Sequence, residues 1–262
     1  RDEQEWPLAR TQFTNFYLHG NGTLGEDAPS ESSSSTTYRY VPSNPVPSIG
    51  GNVSSLMSFK GMPEGASDPE SSPRALAMDE IMAPGGFDQI EGPDIYGAKA
   101  PYLPLGSRPD VLVFQTAPLE EDIEVTGPIE VRLWVSSSAV DTDFTAKLID
   151  VYPSSRWYPE GYRLNLTDSI IRMRYRNGDG VQDFLTPGDS TEITITLYPT
   201  SNLFSRGHRI RLDVSSSNFP RFDVNTNTGE PAGRERRTEV ADNTVFHESG
   251  RSSVLVLPVV PV

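Results

Sequence analysis

The sequence contains no cysteine among its 262 residues. Disulfide bridges, thiolate nucleophiles and cysteine-based zinc sites are therefore excluded. The chain also has no apolar run near the roughly 20 residues that a membrane-spanning helix needs, and no signal-peptide pattern. Cationic residues are too few to balance the acidic ones, so the formal net charge is −14. Because such a surface repels phosphate backbones, we expect no nucleic acid as partner, and the lack of a long apolar run predicts no membrane partner.

The sequence gives little evidence of where the protein works in the cell. It begins at Arg1 without an initiator methionine, so we expect a mature or excised segment. Three Asn-X-Ser/Thr sequons occur, at Asn21, Asn52 and Asn165. Chance in a Ser/Thr-rich sequence explains them better than glycosylation does. The compartment therefore stays open.

Proline and glycine, by contrast, are abundant, with 23 and 21 residues. They predict many turns and few long helices. From residue 111 onward, apolar and polar residues alternate with the period of two that is typical of strands. The predicted strands are centred on residues 111–114, 129–135, 144–148, 171–176, 193–197, 210–214 and 254–257. This spacing favours an all-β fold, an antiparallel β-sandwich of the jelly-roll or galactose-binding-like type.

The first part of the chain has a different composition. Residues 13–19 predict a strand that ends at a Gly-Asn-Gly turn. Residues 24–110 are rich in Ser, Pro, Gly and acidic residues, which predicts a long, mostly irregular excursion with one short helical turn over residues 75–82. We assign residues 1–110 to this strand and excursion, within the same domain as a β-sandwich core over residues 111–262.

The sequence offers no pattern for a catalytic triad. The Gly-X-Ser-X-Gly pentapeptide of a nucleophile elbow is absent, and the only histidines are His19, His208 and His247. We interpret His19 and His208 as turn or strand-end residues, and His247 as a solvated residue of a polar loop. Their spacing does not indicate a zinc site. Serines at 136–138 and 215–217 follow predicted strands, where we expect them to satisfy backbone groups.

Two carboxylate-rich segments could supply calcium ligands. Asp141 and Asp143 offer hard oxygen atoms, and residues 223–229 place oxygen-bearing side chains at every second position. A calcium loop that starts at Asp223 needs a bidentate glutamate at its twelfth position, where this chain has Arg234. We therefore favour Asx-turn hydrogen bonding, and we predict no metal and no cofactor.

Aromatic residues suggest an alternative function, a stand-alone module that binds carbohydrate or peptide. Trp134, Trp157, Tyr158 and Tyr162 could stack on sugar rings. Trp134 lies on the polar face of its predicted strand, which motivates this hypothesis. Packing of Trp134 beneath a neighbouring loop or domain is the simpler interpretation.

The most informative segment is residues 200–229. A turn at Arg206 and Gly207 precedes a strand with apolar residues at 210, 212 and 214 and with charged residues at 209, 211 and 213. This alternation predicts a sandwich strand with one buried face. The strand leads into a polar loop, residues 215–223, with the sequence Ser-Ser-Ser-Asn-Phe-Pro-Arg-Phe-Asp.

That loop resembles a segment in the C-terminal β domain of the cocaine esterase and X-prolyl dipeptidyl peptidase family of serine hydrolases. Other segments that resemble the same domain follow in the same order along the chain. They are residues 6–7, 17–19, 44–51 (Asn-Pro-Val-Pro-Ser-Ile-Gly-Gly), 88–89, 108–114, 125–128 and 141–148. The resemblance therefore covers nearly the whole chain, with residues 60–107 fitting least well.

The resemblance implies a protein with three parts: an α/β-hydrolase core that carries a Ser-Asp-His triad, a helical cap, and this β domain. The triad would precede the matched region, so no catalytic residue is assigned in this chain, and we expect it to be inactive alone. The implied partner is the family's own α/β-hydrolase catalytic domain, which part of the excursion would contact; a homo-oligomer stays open. The candidate ligand or domain-interface residues are Trp134, Trp157, Asn218, Phe219, Arg221 and Asp223.

Overall fold

The computed structural model describes residues 3–52, 82–83, 85–178 and 180–261. These residues form two antiparallel sheets that share one hydrophobic core, so the predicted antiparallel β-sandwich is confirmed. The jelly-roll type remains a prediction. The described part of the chain contains no helix with the length and apolarity that a membrane span requires.

The strands range from 2 to 15 residues in length. In chain order they are β1 (Gln12–Leu18), β2 (Leu24–Gly25), β3 (Ser35–Tyr40), β4 (Leu112–Gln115), β5 (Ile123–Ser137), β6 (Asp143–Tyr152), β7 (Tyr162–Arg172), β8 (Thr191–Phe204), β9 (Arg209–Ser215), β10 (Ala241–Glu248), β11 (Arg251–Ser252) and β12 (Val254–Val260). Two 3-10 turns, Leu105–Ser107 and Met173–Tyr175, complete the regular structure of the described residues.

The larger sheet has eight strands and is built around β5. This strand pairs with β8 along one edge and with β10 and β12 along the other. β3 extends the sheet from β10, and β1 and β2 extend it from β12. The smaller sheet has the order β4-β9-β6-β7. β6 and β9 are therefore its two central strands.

Apolar residues at alternate positions of the central strands form the core between the sheets. The fully or almost fully buried side chains include Ile129, Val131, Leu133 and Val135 of β5, Ile193, Ile195 and Leu197 of β8, Phe144, Ala146 and Leu148 of β6, and Ile210, Leu212 and Val214 of β9. Full burial of a Val, Leu, Ile or Phe side chain contributes roughly 1.5–3 kcal/mol. These positions match those that the period-two pattern predicts.

The strands differ from the sequence-based expectation in several places. β3 lies inside the segment expected to be irregular, because its buried residues are Tyr38 and Tyr40 in an otherwise polar run. β10 was not predicted. The strand expected over 171–176 ends at Arg172, because the Met173 N–H donates to the Thr142 carbonyl at 2.9 Å and the chain turns. The helical turn expected over 75–82 lies outside the described residues except for its last position.

The outer face of the smaller sheet is covered by residues 42–52 and 85–111, named here the covering layer. Val46, Leu105 and Val111 of this layer form a small apolar cluster and line one narrow gap with Lys147 and Asp213 of the sheet. Backbone bridges join Pro47 to Phe219 and Asp88 to Leu164. Both faces of β6 and β9 are therefore buried, and the expectation of one buried face for β9 was wrong.

Candidate functional site

Three charged side chains lie side by side on the covered face of the smaller sheet. The strand register places Lys147 of β6 between Asp213 of β9 and Asp168 of β7. They share a face because successive side chains of a strand point to opposite sides, and the neighbours Leu148 and Leu212 point into the core. All three charged residues are buried. They form a buried row, Asp213–Lys147–Asp168, named here the charged row.

Each carboxylate of the charged row is paired with an arginine. Arg211 donates to Asp213 from Nε and Nη2 at 2.6 and 2.8 Å. Arg221 Nη1 lies 2.6 Å from Asp168 Oδ1. Burial lowers the pKa of Lys147, and the charges of Asp168 and Asp213 oppose that shift. Buried charges need such partners because desolvation strongly disfavours an unpaired ion.

Hydrogen bonds connect the covering layer to this charged row. Lys147 Nζ donates to Gln89 Oε1 at 3.5 Å, and Gln89 Nε2 donates to the Ile49 carbonyl at 2.8 Å. The Ser48 hydroxyl donates to Asn218 Oδ1 at 2.9 Å and accepts the Arg221 backbone N–H at 3.2 Å. The layer is therefore held by buried polar contacts as well as by apolar packing.

Gly51 lets the covering layer come very close to the charged row. Its φ is +106°, and its N–H donates to the Gly85 carbonyl at 2.7 Å, which joins the two parts of the layer. A Cβ at Gly51 would stand 2.5 Å from Asp168 Oδ2. Both the backbone conformation and the lack of space require glycine. We name Ser48, Gly51, Asp168, Asn218 and Arg221 the junction.

Three of the six candidate residues from the sequence meet at or beside the junction. Asn218 and Arg221 belong to it, and the backbone of Phe219 pairs with Pro47 of the covering layer. Asp223 does not join them: its side chain is exposed, and its carbonyl accepts a hydrogen bond from Arg172 at 3.0 Å. The loop 215–223 is therefore a structural anchor for the layer.

The two candidate tryptophans lie apart from the junction and belong to different sheets. Trp134 is half-buried on the outer face of the larger sheet, opposite Glu192. Trp157 lies in the connection between β6 and β7 with 73% of its surface exposed, and the Arg156 guanidinium stands 4.3 Å from its ring. The structure does not bring the two rings together into one sugar-stacking surface.

The histidines do not assemble a triad within the described ranges. His208 Nδ1 lies 2.8 Å from Asp150 Oδ1, but its ring packs against Tyr152 and no serine is bonded to it. His19 Nε2 contacts the Asp27 carbonyl. Described residues thus contain a carboxylate–histidine pair without a nucleophile, whereas acyl transfer by a triad needs all three groups in contact.

The expectation that His247 is a solvated loop residue was wrong. It lies in β10 rather than in a solvated loop, and only 1% of its surface is exposed. Nε2 is 3.0 Å from Thr36 Oγ1, and the ring stacks near Phe114. Burial lowers the pKa of His247 to about 4, helped by the nearby His19. At neutral pH the ring is therefore uncharged. His247 and His19 line a polar cavity of about 720 Å³.

The carboxylates considered as calcium ligands are neutralised by protein groups instead. Arg174 Nε donates to Asp141 Oδ2 at 2.8 Å, and Arg172 Nη2 donates to Asp143 Oδ2 at 2.9 Å. Asn225 Nδ2 donates to both carboxylates. The backbone N–H of Asn227 donates to Asn225 Oδ1 at 2.9 Å, so the expected Asx turn is confirmed.

Lys147 and Asp168 were not predicted from the sequence as members of a site. A signal for Lys147 exists, since it is the only charged residue in the run from Phe144 to Ile149, where a solvated face would carry more polar residues. No comparable signal marks Asp168, because nothing local shows that Arg221 and Gly51 pack against it.

Comparison with known proteins finds a family and several longer relatives. A family model described as the X-Pro dipeptidyl-peptidase C-terminal non-catalytic domain matches residues 1–256. Cocaine esterase from Rhodococcus sp. (strain MB1 Bresler) is 38% identical over 270 aligned residues, which cover 99% of this chain and 40% of that protein. A putative serine esterase from Mycobacterium bovis is 32% identical over 127 residues, covering 44% of this chain and 20% of that protein.

Solved structures of longer proteins also match nearly the whole of this chain. An aminopeptidase from the marine sediment archaeon Thaumarchaeota archaeon matches with a TM-score of 0.75 and 26% identity, over 100% of this chain and 39% of its own. An α-amino acid ester hydrolase matches with a TM-score of 0.70 and 27% identity, over 94% of this chain and 36% of its own. The chain thus spans about two fifths of the length of the first relatives it matches.

Proposed function

Because this chain belongs to the family of X-Pro dipeptidyl-peptidase C-terminal non-catalytic domains, we propose that it works as the accessory domain of an α/β-hydrolase-type serine hydrolase. In this proposal the catalytic triad lies in a separate α/β-hydrolase core. The β-sandwich packs against that core and forms a wall or rim of the substrate cleft. The names of its relatives, esterases and an aminopeptidase, are in accord with such a parent enzyme.

The observation that carries the proposal is the way in which the covering layer is fixed. The outer face of the smaller sheet could have stayed polar and hydrated. Instead it holds the buried charged row, and Gln89 and the backbone N–H of Arg221 connect the covering layer to that row. Burying charges costs desolvation energy, which their partners offset. Such an arrangement suits a domain that presents loops in one fixed geometry, as the wall of a cleft requires.

The reaction that we propose for the parent is hydrolysis of an acyl ester or amide bond, including the amide bond that follows an X-Pro dipeptide. The serine of the core attacks the carbonyl carbon, and the tetrahedral intermediate collapses to an acyl-enzyme as the C–O or C–N bond breaks and the alcohol or amine leaves with a proton. Water then hydrolyses the acyl-enzyme, which releases the acid and restores the serine. No described residue of this chain supplies a serine paired with a histidine base. The β-sandwich domain contributes by shaping the cleft and by excluding water around the bond that breaks.

The first test is an activity assay of the purified chain with p-nitrophenyl acetate. We expect no turnover above that of an inert protein at the same concentration, because the chain has no nucleophile–base pair among its described residues. Intact Rhodococcus cocaine esterase serves as the active control. Turnover by the pure chain that a serine-directed inactivator abolishes would contradict the proposal, since the nucleophile would then lie in this domain.

A further inference from the structure

The covering layer exposes several large apolar side chains. Phe87, Tyr96, Tyr102 and Leu103 are between 37% and 51% exposed. They fall within one short segment of a layer that is itself firmly packed on the sheet. Scattered apolar residues are normal on a surface, but a group of large ones indicates an interaction surface.

Backbone and ring contacts within the covering layer bring together the segments that carry these exposed residues. The backbone N–H of Glu91 donates to the Leu103 carbonyl at 3.1 Å, so the segments around residues 90 and 103 run beside each other. The ring of Tyr96 lies 5.8 Å from that of Phe219, the candidate residue beside the junction. The segments that carry the exposed apolar residues are therefore neighbours within the covering layer.

The connection between β6 and β7 extends this surface. Trp157 and Tyr158 are 73% and 41% exposed, and the ring of Tyr158 packs 4.7 Å from that of Tyr162. The next residue, Arg163, donates to both carboxylate oxygens of Asp88, at 2.7 and 2.6 Å. Since Asp88 follows Phe87, this ion pair fixes the aromatic connection next to the covering layer.

The outer face of the larger sheet has a different character. Its centre carries an ion pair, with Arg132 Nη2 at 2.7 Å from Glu130 Oε2. Thr194 and Thr196 of β8 lie opposite these two residues and are exposed. Exposed apolar residues also occur on this face, at Phe13 of β1 and at Tyr198 and Leu203 of β8, around this polar centre. The centre of this face is therefore charged and polar, whereas the core of a protein interface is depleted of charged residues.

We propose that Phe87, Tyr96, Leu103, Trp157 and Tyr158 form the face that docks on the α/β-hydrolase core, named here the docking face. This inference rests on the proposed function, and it names the surface through which that function operates. The occupant follows from length: the relatives are hydrolases more than twice as long as the part that this chain matches. An interface between domains buries roughly 600–1,500 Å², and aromatic side chains supply much of its binding energy.

The test joins this chain to the hydrolase core of Rhodococcus cocaine esterase, in place of that enzyme's own matched region. Hydrogen exchange of the joined protein is compared with that of the free chain. We expect exchange to slow by about tenfold or more at residues 86–104 and 155–162, because docking excludes water there. Protection confined to β1, β8 and the rest of the larger sheet would overturn the docking face but leave the proposed function standing.

If the joined protein shows no protection anywhere, both the docking face and the proposed packing on a core are wrong. Matched variants sharpen the result. Leu103→Ser with Tyr96→Ser removes two residues of the docking face, and Leu203→Ser with Tyr198→Ser removes residues of the same types and similar exposure from β8. We expect the first pair to abolish the protection and the second to retain it. Equal protection in both would contradict the docking face.

Discussion

Gly51 shows how one residue can decide whether the covering layer fits. Its backbone adopts a positive φ, and Asp168 leaves no room for a side chain. These two requirements are distinct, since a positive φ alone occurs at Gly97, where no heavy atom lies within 4 Å of an added Cβ. The chain therefore offers a control that separates backbone strain from lack of space.

We expect Gly51→Ala to lower the free energy of unfolding by about 3 kcal/mol or more, the sum of backbone strain and steric overlap with Asp168. Gly97→Ala should cost only about 1–2 kcal/mol, since it meets strain without overlap. Urea denaturation of both variants measures the difference. If the two variants lost the same free energy of unfolding, Asp168 would be able to move aside without cost. Close packing at the junction would then not hold the covering layer in place.

At the scale of strands, the register of β9, β6 and β7 creates the charged row. The three strands place Asp213, Lys147 and Asp168 next to one another, but the arginines that pair with the carboxylates differ in origin. Arg211 comes from β9 itself, and Arg221 comes from the loop that anchors the covering layer. Removing a carboxylate and removing the lysine should therefore have very different effects.

Asp168→Asn leaves Arg221 and Lys147 buried without a nearby anion on that side of the row. We expect it to cost about 3–5 kcal/mol, the usual penalty for breaking one side of a buried ion pair. Lys147→Met should change stability by no more than about 1 kcal/mol, because both carboxylates keep their arginines and a lysine that is costly to bury is removed. Thermal and urea denaturation test this order. A larger loss for Lys147→Met would show that the lysine, rather than Arg221, neutralises Asp168.

Period-two alternation predicted most strands, and the failures have a physical cause. β5, β6, β8 and β9 bury aliphatic residues at alternate positions, so their pattern stands out in the sequence. β10 buries Asn243 and His247 at the corresponding positions. Asn243 Nδ2 donates to Thr142 Oγ1 and Ser216 Oγ, which satisfies this amide nitrogen in the interior. Because its partners lie on distant segments, the local sequence of β10 looks like a polar loop.

For the molecule as a whole, the burial of His247 makes folding sensitive to acid. Its pKa is about 4 in the folded protein and 6.5 when unperturbed. Between these values the unfolded chain binds a proton that the folded chain does not, so stability falls as the pH falls from about 6.5 to about 4. The full shift is worth roughly 3 kcal/mol. Below about pH 4 this residue causes no further loss.

We expect His247→Gln to flatten the pH dependence of stability in this window, because the variant has no proton to take up there. The free energy of unfolding is measured by urea titration at intervals between pH 4 and pH 7 for both proteins. Comparing slopes removes the contribution of the carboxyl groups, which the two share. Parallel slopes would mean that His247 becomes protonated in the folded state without cost.

The sequence by itself determined the fold class, the position of most strands, the absence of disulfides and the resemblance to one hydrolase family, which the family match confirmed. The strand positions can be predicted from local sequence, because the alternation of apolar and polar residues indicates which side of a strand faces the apolar core. Tertiary structure alone decided that the charged side of β9 is buried as well, and that Gly51, Asp168 and Arg221 meet. The contacts among these three residues join segments that lie far apart in the chain. No local sequence pattern predicts which segment will cover the second face of a strand.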